Sequence, residues 1–247
     1  MQHEPPENTQ APVATLPAGP RDSGHTLTAM QSESVRLDAI PDGLDLDVVE
    51  LGARTGMLWS RHGMALAGVG EALRIPIDRP GGAQQAQASL AELAGPNDLE
   101  VAGAGPVAFA ALPFERQSAG ELIVPQVVVG ADPAGNQWMT ATGLSTSEAY
   151  QQIQAVLDAS STEPQPTSFE LTSAITPEAW RDEVVAPIRD RIVTGEFNKV
   201  VLARELRLQT DQPIDISAVL RRLHQGFGTA IIFAVEGFVG ALSLIHI

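Results

Sequence analysis

The apolar residues of this chain fall in short runs cut by glycine, proline and charged turns, with a few longer windows of helical spacing between them. That mixture predicts an α/β (α+β) domain beginning near Asp45, because strands alternate every two residues while helices repeat every 3.6. Thr55–Trp59, Met64–Gly68 and Ala72–Ile77 read as successive strands of a β-meander, with Arg61, His62 and Gly63 turning between the first two. Ala83–Leu93 follows Pro80-Gly81-Gly82 and reads as a helix that Gly95-Pro96 ends. Strand character resumes over Val107–Leu112, Glu121–Val129 and Asn136–Thr142, with Pro113 and Pro125 marking strand ends or edges.

Ser147–Ala159 is predicted helical, followed by a Pro/Ser/Thr connector over Ser160–Thr167 and a strand over Ser168–Thr172. The clearest helix start comes next, where Thr176 can cap, Pro177 suits the first helical position and Glu178 favours the positive end. Trp180, Val184, Ile188 and Ile192 recur every four residues and define one apolar face, Pro187 should kink or split the helix, and Gly195 stops it. Lys199–Leu208 reads as a strand, Ile214–Gln225 as a helix, and Thr229–Val235 with Phe238–Ala241 as a hairpin around Glu236-Gly237. Residues 1–44 read as a polar, disordered tail, with Glu4 and Glu7 where a signal peptide needs positive charge.

Thirty acidic against 15 basic side chains leave a formal net charge of −15 over 247 residues. That excess argues against nucleic acid and against an anionic membrane surface as partners, since both require cationic patches. A small-molecule partner fits better. The chain has no cysteine, which excludes disulfides, thiolate metal sites and a cysteine nucleophile and fits a reducing compartment. No apolar run approaches the ~20 residues of a membrane span. A soluble, cytoplasmic protein is the expectation.

Few residues invite a chemical role. Gly68-Val69-Gly70 and Gly103-Ala104-Gly105 resemble phosphate loops only superficially, and the second precedes a strand where a phosphate cradle must follow one. They read as turns. The five histidines show no pair at metal-ligand spacing. Lys199 stands apart, because it is the only lysine and the other 14 cations are all arginine. It opens the run Lys199-Val200-Val201-Leu202-Ala203-Arg204 just after a helix-ending glycine. Desolvation at the head of such a strand would favour the neutral amine that a general base needs, a role arginine cannot fill. A solvated lysine at a strand end suits the same position, and residue chemistry alone does not choose between the two.

The hexapeptide Lys199–Arg204, following an amphipathic helix that ends at Gly195, resembles the signature of the chorismate-binding enzymes and, within them, of the isochorismate synthases. Ala111-Leu112-Pro113-Phe114-Glu115, Leu122-Ile123-Val124-Pro125, Leu58-Trp59 with Gly68-Val69-Gly70, and Phe238-Val239-Gly240-Ala241 resemble further pieces of that family in the same order, over residues 45–241. The resemblance implies two packed β-sheets flanked by helices. It also implies a Mg2+-dependent isomerisation of chorismate to isochorismate, for menaquinone or siderophore biosynthesis, with Lys199 as the base that activates water. A salicylate synthase of the same family and a non-catalytic small-molecule-binding module are the alternative readings.

The family's Gly-Ala-Ser-Pro-Glu motif is interrupted here. Leu242-Ser243-Leu244 follows Gly240-Ala241, so Leu244 stands where the resemblance implies an acid that protonates the departing hydroxyl. The expectation is therefore a C-terminally truncated domain whose residues 242–247 are a non-native terminus, an inactive fragment that lacks the general acid, has no metal ligand and makes few substrate contacts.

Overall fold

The computed structural model describes residues 30–39, 46–77, 82–95, 99, 101–113, 120–159 and 166–242. Seven antiparallel strands form the main sheet in the order β1-β7-β6-β3-β2-β10-β11. They are β1 (Ser32–Arg36), β2 (Leu58–Arg61), β3 (Met64–Val69), β6 (Val127–Ala131), β7 (Gln137–Thr142), β10 (Ile231–Val235) and β11 (Phe238–Leu242). β4 (Leu73–Ile77) and β5 (Gly120–Val124) pair as a second sheet, and β8 (Phe169–Thr172) and β9 (Arg207–Thr210) as a third.

Two-residue alternation sorts the main sheet into two apolar faces. Ala67, Val69, Val127, Val129, Met139 and Ala141 face α1 (Val48–Thr55) and α3 (Thr146–Asp158), which contribute Leu51, Ala149 and Ile153. Leu58, Ile232 and Ala234 extend that face to Leu220 of α6 (Ile216–Gly226). On the opposite face Leu66, Val128, Trp138 and Val235 meet Phe109 and Ile123 of the second sheet. The outer side of that sheet, with Ile75, Ile77, Leu122 and Val124, is closed by Leu93 of α2 (Gly82–Leu93). The molecule thus contains two packed sheets flanked by helices, as the resemblance implies.

Several local expectations give way to tertiary structure. The strand expected over Thr55–Trp59 begins only at Leu58, because Thr55 is the last residue of helix α1, which the Asp47 side chain caps by accepting from Glu50 N and Gly56 ends at φ +71°. A Cβ on Gly52 would lie 2.7 Å from Leu58 Cδ1, so glycine lets this helix lie close against β2. β4 leaves the expected meander to pair with β5. The run Glu121–Val129 splits at Pro125 into β5 and β6, which belong to different sheets. Val107–Leu112 forms only a single bridge, from Phe109 to Ile123.

The polar tail expected over residues 1–44 contains a strand. β1 pairs along its length with β7 from Ser32–Thr142 to Arg36–Trp138. Its buried positions are serines, and the Ser34 hydroxyl shares a 2.8 Å hydrogen bond with Thr140 Oγ1 while accepting from Gly105 N at 3.0 Å. Hydrogen bonding satisfies groups that hydrophobicity would not have marked as internal. Leu242, assigned from sequence to a non-native terminus, is the last residue of β11 and pairs with Ile231. Residues 243–247, and with them Leu244, lie outside the described residues.

Candidate functional site

Lys199 follows a helix whose irregularity was legible in part. Thr176 Oγ1 accepts from Ala179 N at 3.2 Å and Pro177 takes the first position of α4 (Pro177–Ala179). A π-helical turn (Trp180–Val185) then leads into α5 (Ala186–Val193), with Ala186 N donating to Arg181 O five residues back. Pro187 lacks the N–H that α-helical pairing needs, and the widened turn accommodates it. Sites spaced by four drift by ~40° per step on an α-helix, and one wider turn corrects that drift. Trp180, Val184, Ile188 and Ile192 are consequently all half-buried.

The helix exit is tightly specified. Gly195 adopts φ +81°, its N–H donates to Ile192 O at 3.0 Å, and Glu196 N donates to Arg191 O at 3.0 Å. This is a Schellman turn, in which glycine takes the left-handed position at little cost. Arg191 Nε donates to Glu196 Oε2 at 2.7 Å, its Nη2 donates to Glu196 Oε1, and its guanidinium lies 4.6 Å from the centroid of Phe197. The Arg191 hydrogen bonds hold the Glu196 carboxyl below its ordinary pKa range.

Beyond this clamp the strand expected over Lys199–Leu208 does not form as a unit. Residues 199–206 have no regular structure, and β9 begins only at Arg207, where β8 supplies a partner through the Thr172–Arg207 pair. Lys199 is exposed, and Val201 is 82% exposed. The apolar surroundings expected to desolvate the amine are therefore not assembled by the described residues. The branched run is apolar in sequence, but burial requires neighbours on both faces and none of the described elements covers it.

The third sheet shows the same lack of cover. Cross-strand register puts Phe169, Leu171 and Leu208 on one face, and Glu170, Thr172, Arg207 and Gln209 on the other. Phe169 is 74% and Leu171 56% exposed, although the hairpin is plainly amphipathic.

The remaining candidates are structural. Gly70, Gly103 and Gly105 take φ values of +66°, +86° and +87°, and the Gly105 N–H is engaged by Ser34 and Thr140 rather than open to an anion. His62 Nε2 lies 3.0 Å from Thr229 O. His62 and His224, far apart in sequence, both line a cavity of about 200 Å³ with Arg61 and Asp47, and no sequence spacing could have paired them. Lys199 is not among its lining residues. Among the described residues no three carboxylate or imidazole groups converge to hold a metal ion.

Comparison with known proteins agrees with the arrangement of sheets. The family model described as "Chorismate binding enzyme" matches residues 32–242. The menaquinone-specific isochorismate synthase MenF of Escherichia coli aligns with 86% of this chain and 50% of its own at 19% identity and a TM-score of 0.50. A solved structure titled as the putative 2,3-dihydroxybenzoate-specific isochorismate synthase DhbC of Bacillus anthracis aligns with 80% of this chain and 46% of its own at 20% identity and a TM-score of 0.50. The chain spans about half the length of these solved structures. No curated protein matches it significantly.

Proposed function

The chain belongs to the chorismate-binding enzyme family, and on that premise we propose that it is the base-bearing portion of an isochorismate synthase. Its substrate is chorismate, and its own chemical contribution is Lys199. Acting as base, Lys199 Nζ takes a proton from a water molecule whose oxygen bonds to C2 of the ring, while the C4–O bond breaks and that hydroxyl departs. A second group must return a proton to the leaving oxygen, so that isomerisation consumes no water overall. Leu244, at the position where the resemblance implies that acid, has no proton to give.

The resemblance also implies Mg2+, whose chemistry would be charge neutralisation at the substrate carboxylate. Six or so oxygen donors are usual for that ion. The described residues do not gather such a donor set.

The observation that carries this reading is the family match across residues 32–242, which includes the Lys199 hexapeptide. The test is conversion of chorismate by the full-length gene product with Mg2+, followed by chromatography. Isochorismate formed by the protein and lost in Lys199→Gln, with the fold intact by circular dichroism, supports it. Release of pyruvate would shift the assignment to a salicylate synthase. Chorismate binding without turnover would identify a non-catalytic module, the reading that an exposed Lys199 favours.

A further inference from the structure

Arg191 is engaged at both ends by the turn that leads to Lys199. Its carbonyl accepts from Glu196 N at 3.0 Å and from Thr194 Oγ1 at 3.1 Å. Its guanidinium grips the Glu196 carboxylate through two donors and stacks on Phe197. One residue therefore fixes both positions immediately before Asn198-Lys199. From Asn198 to Arg204 no hydrogen bond or ion pair joins the chain to another described residue. The next anchor is Ser173 Oγ, which donates to Glu205 O at 3.3 Å. The lysine segment is thus a span held at two ends, and the end nearer the amine is Arg191.

We propose that Arg191 is a positioning residue for Lys199, setting the direction in which the lysine-bearing segment leaves α5. This rests on the reading of Lys199 as the base. The chemistry calls for arginine: a planar guanidinium can hold both carboxylate oxygens and lie flat on a ring, whereas an ammonium does neither well. Arg191 and Glu196 are 48% and 50% exposed, so their pair contributes little to global stability. Direction, more than stability, is what the clamp supplies.

The unique lysine makes a direct test available. Protein labelled with 13C,15N-lysine gives a single set of lysine resonances, all from Lys199. In the unaltered protein the Lys199 backbone should show the heteronuclear NOE of an ordered segment. Arg191→Ala should lower that NOE to loop values and move the side-chain shifts toward those of a free peptide, with the thermal midpoint nearly unchanged. Arg191→Gln, which adds no second lysine, should restore only part of the order. Where turnover is measurable, Arg191→Ala should lower kcat about tenfold or more with a smaller change in KM, as misplacement of a reacting group does.

Identical Lys199 shifts and NOE in Arg191→Ala and the unaltered protein overturn the proposal, even if activity falls. Full rescue of both readouts by Arg191→Gln overturns it as well, because the guanidinium fork and its contact with Phe197 would then be dispensable. Undiminished turnover in Lys199→Gln would instead refute the base assignment and leave the lysine spectra to decide the role of Arg191 separately.

Discussion

Arg74 Nη1 lies 2.6 Å from Glu236 Oε1, so one guanidinium on β4 ties the second sheet to the turn of the β10–β11 hairpin. The same group holds both carboxylate oxygens of Glu71 at 2.9 Å and reaches Glu121 at 3.4 Å. The Glu71 hydrogen bond, opposed by burial and reinforced by Glu236, raises the guanidinium pKa further above its usual value. Glu236 and Gly237 both have positive φ, at +49° and +79°, as a type I′ hairpin turn requires.

Arg74→Ala should therefore loosen the contact between the two sheets at this corner. The groups are 37% to 58% exposed, so the expected loss is only about 1 kcal/mol. It should shrink in 1 M salt, where the Debye length falls to about 3 Å. Urea denaturation at low and high salt measures both, and a salt-independent loss would contradict the ionic origin.

Gly130 lies directly beneath the Trp138 indole. A Cβ there would come within 2.2 Å of Trp138 Cε2, and the ring is held in place by Nε1 donating to Gly103 O at 3.2 Å. Because Trp138 is 1% exposed, the ring has nowhere to retreat. Gly130→Ala should cost about 3 kcal/mol, at the upper end for overpacking. Chemical denaturation gives the loss, and a shift in tryptophan emission reports the displaced ring.

Glu50 joins α1 to α6. Burial works against its carboxylate, but hydrogen bonds from Arg54 and Arg221 together outweigh it and leave the pKa lowered. A carboxyl depressed on folding contributes stability that is complete above its unfolded pKa, near 4.5. That contribution is lost as pH falls through the folded value. The stability of the protein should accordingly decline below about pH 4.5, and the decline should be shallower in Glu50→Gln. At neutral pH Glu50→Gln should cost about 1–2 kcal/mol, through weakened charge-assisted hydrogen bonds from Arg54 and Arg221. A pH titration of the urea midpoint for both proteins checks the sign.

The uncovered face of the third sheet should behave as sticky surface. Phe169, Leu171 and Leu208 are 74%, 56% and 49% exposed on one side of a two-stranded ribbon that pairs with no further strand among the described residues. Binding of an apolar dye and concentration-dependent association are expected. Leu171→Glu should reduce both severalfold while leaving the thermal midpoint within about 1 kcal/mol equivalent, as surface substitutions do. Equal dye binding in the variant would mean that the dye reads another surface.

Local chemistry made much of this fold readable. Short apolar runs bounded by turn signals located β3, β7 and β10, turn residues located the Glu236-Gly237 hairpin, and cap residues located the start of α4 and the stop at Gly195. Each of those signals acts over a few residues, which is why it survives in sequence. β1 was missed because its internal positions are serines, recognisable as internal only when Thr140 and Gly105 are beside them. α1 was missed because Asp47 and Gly56 were not recognised as its caps, and the strand read from Thr55 begins only at Leu58, beyond the end of the helix.

The candidate site divides along the same line. The sequence by itself determined that a single lysine follows a glycine-stopped amphipathic helix, and that its hexapeptide resembles the signature of the chorismate-binding enzymes. Only the tertiary structure decided the sheet partners of β4, the placing of the runs on either side of Pro125 in different sheets, and the surroundings of Lys199. A side chain's environment depends on distant elements packed against it, and here the described elements end the β8–β9 pairing at Arg207, short of the lysine. What fixes Lys199 instead is the local clamp of Arg191 on Glu196 and Phe197, a contact between neighbours that no hydrophobic pattern encodes.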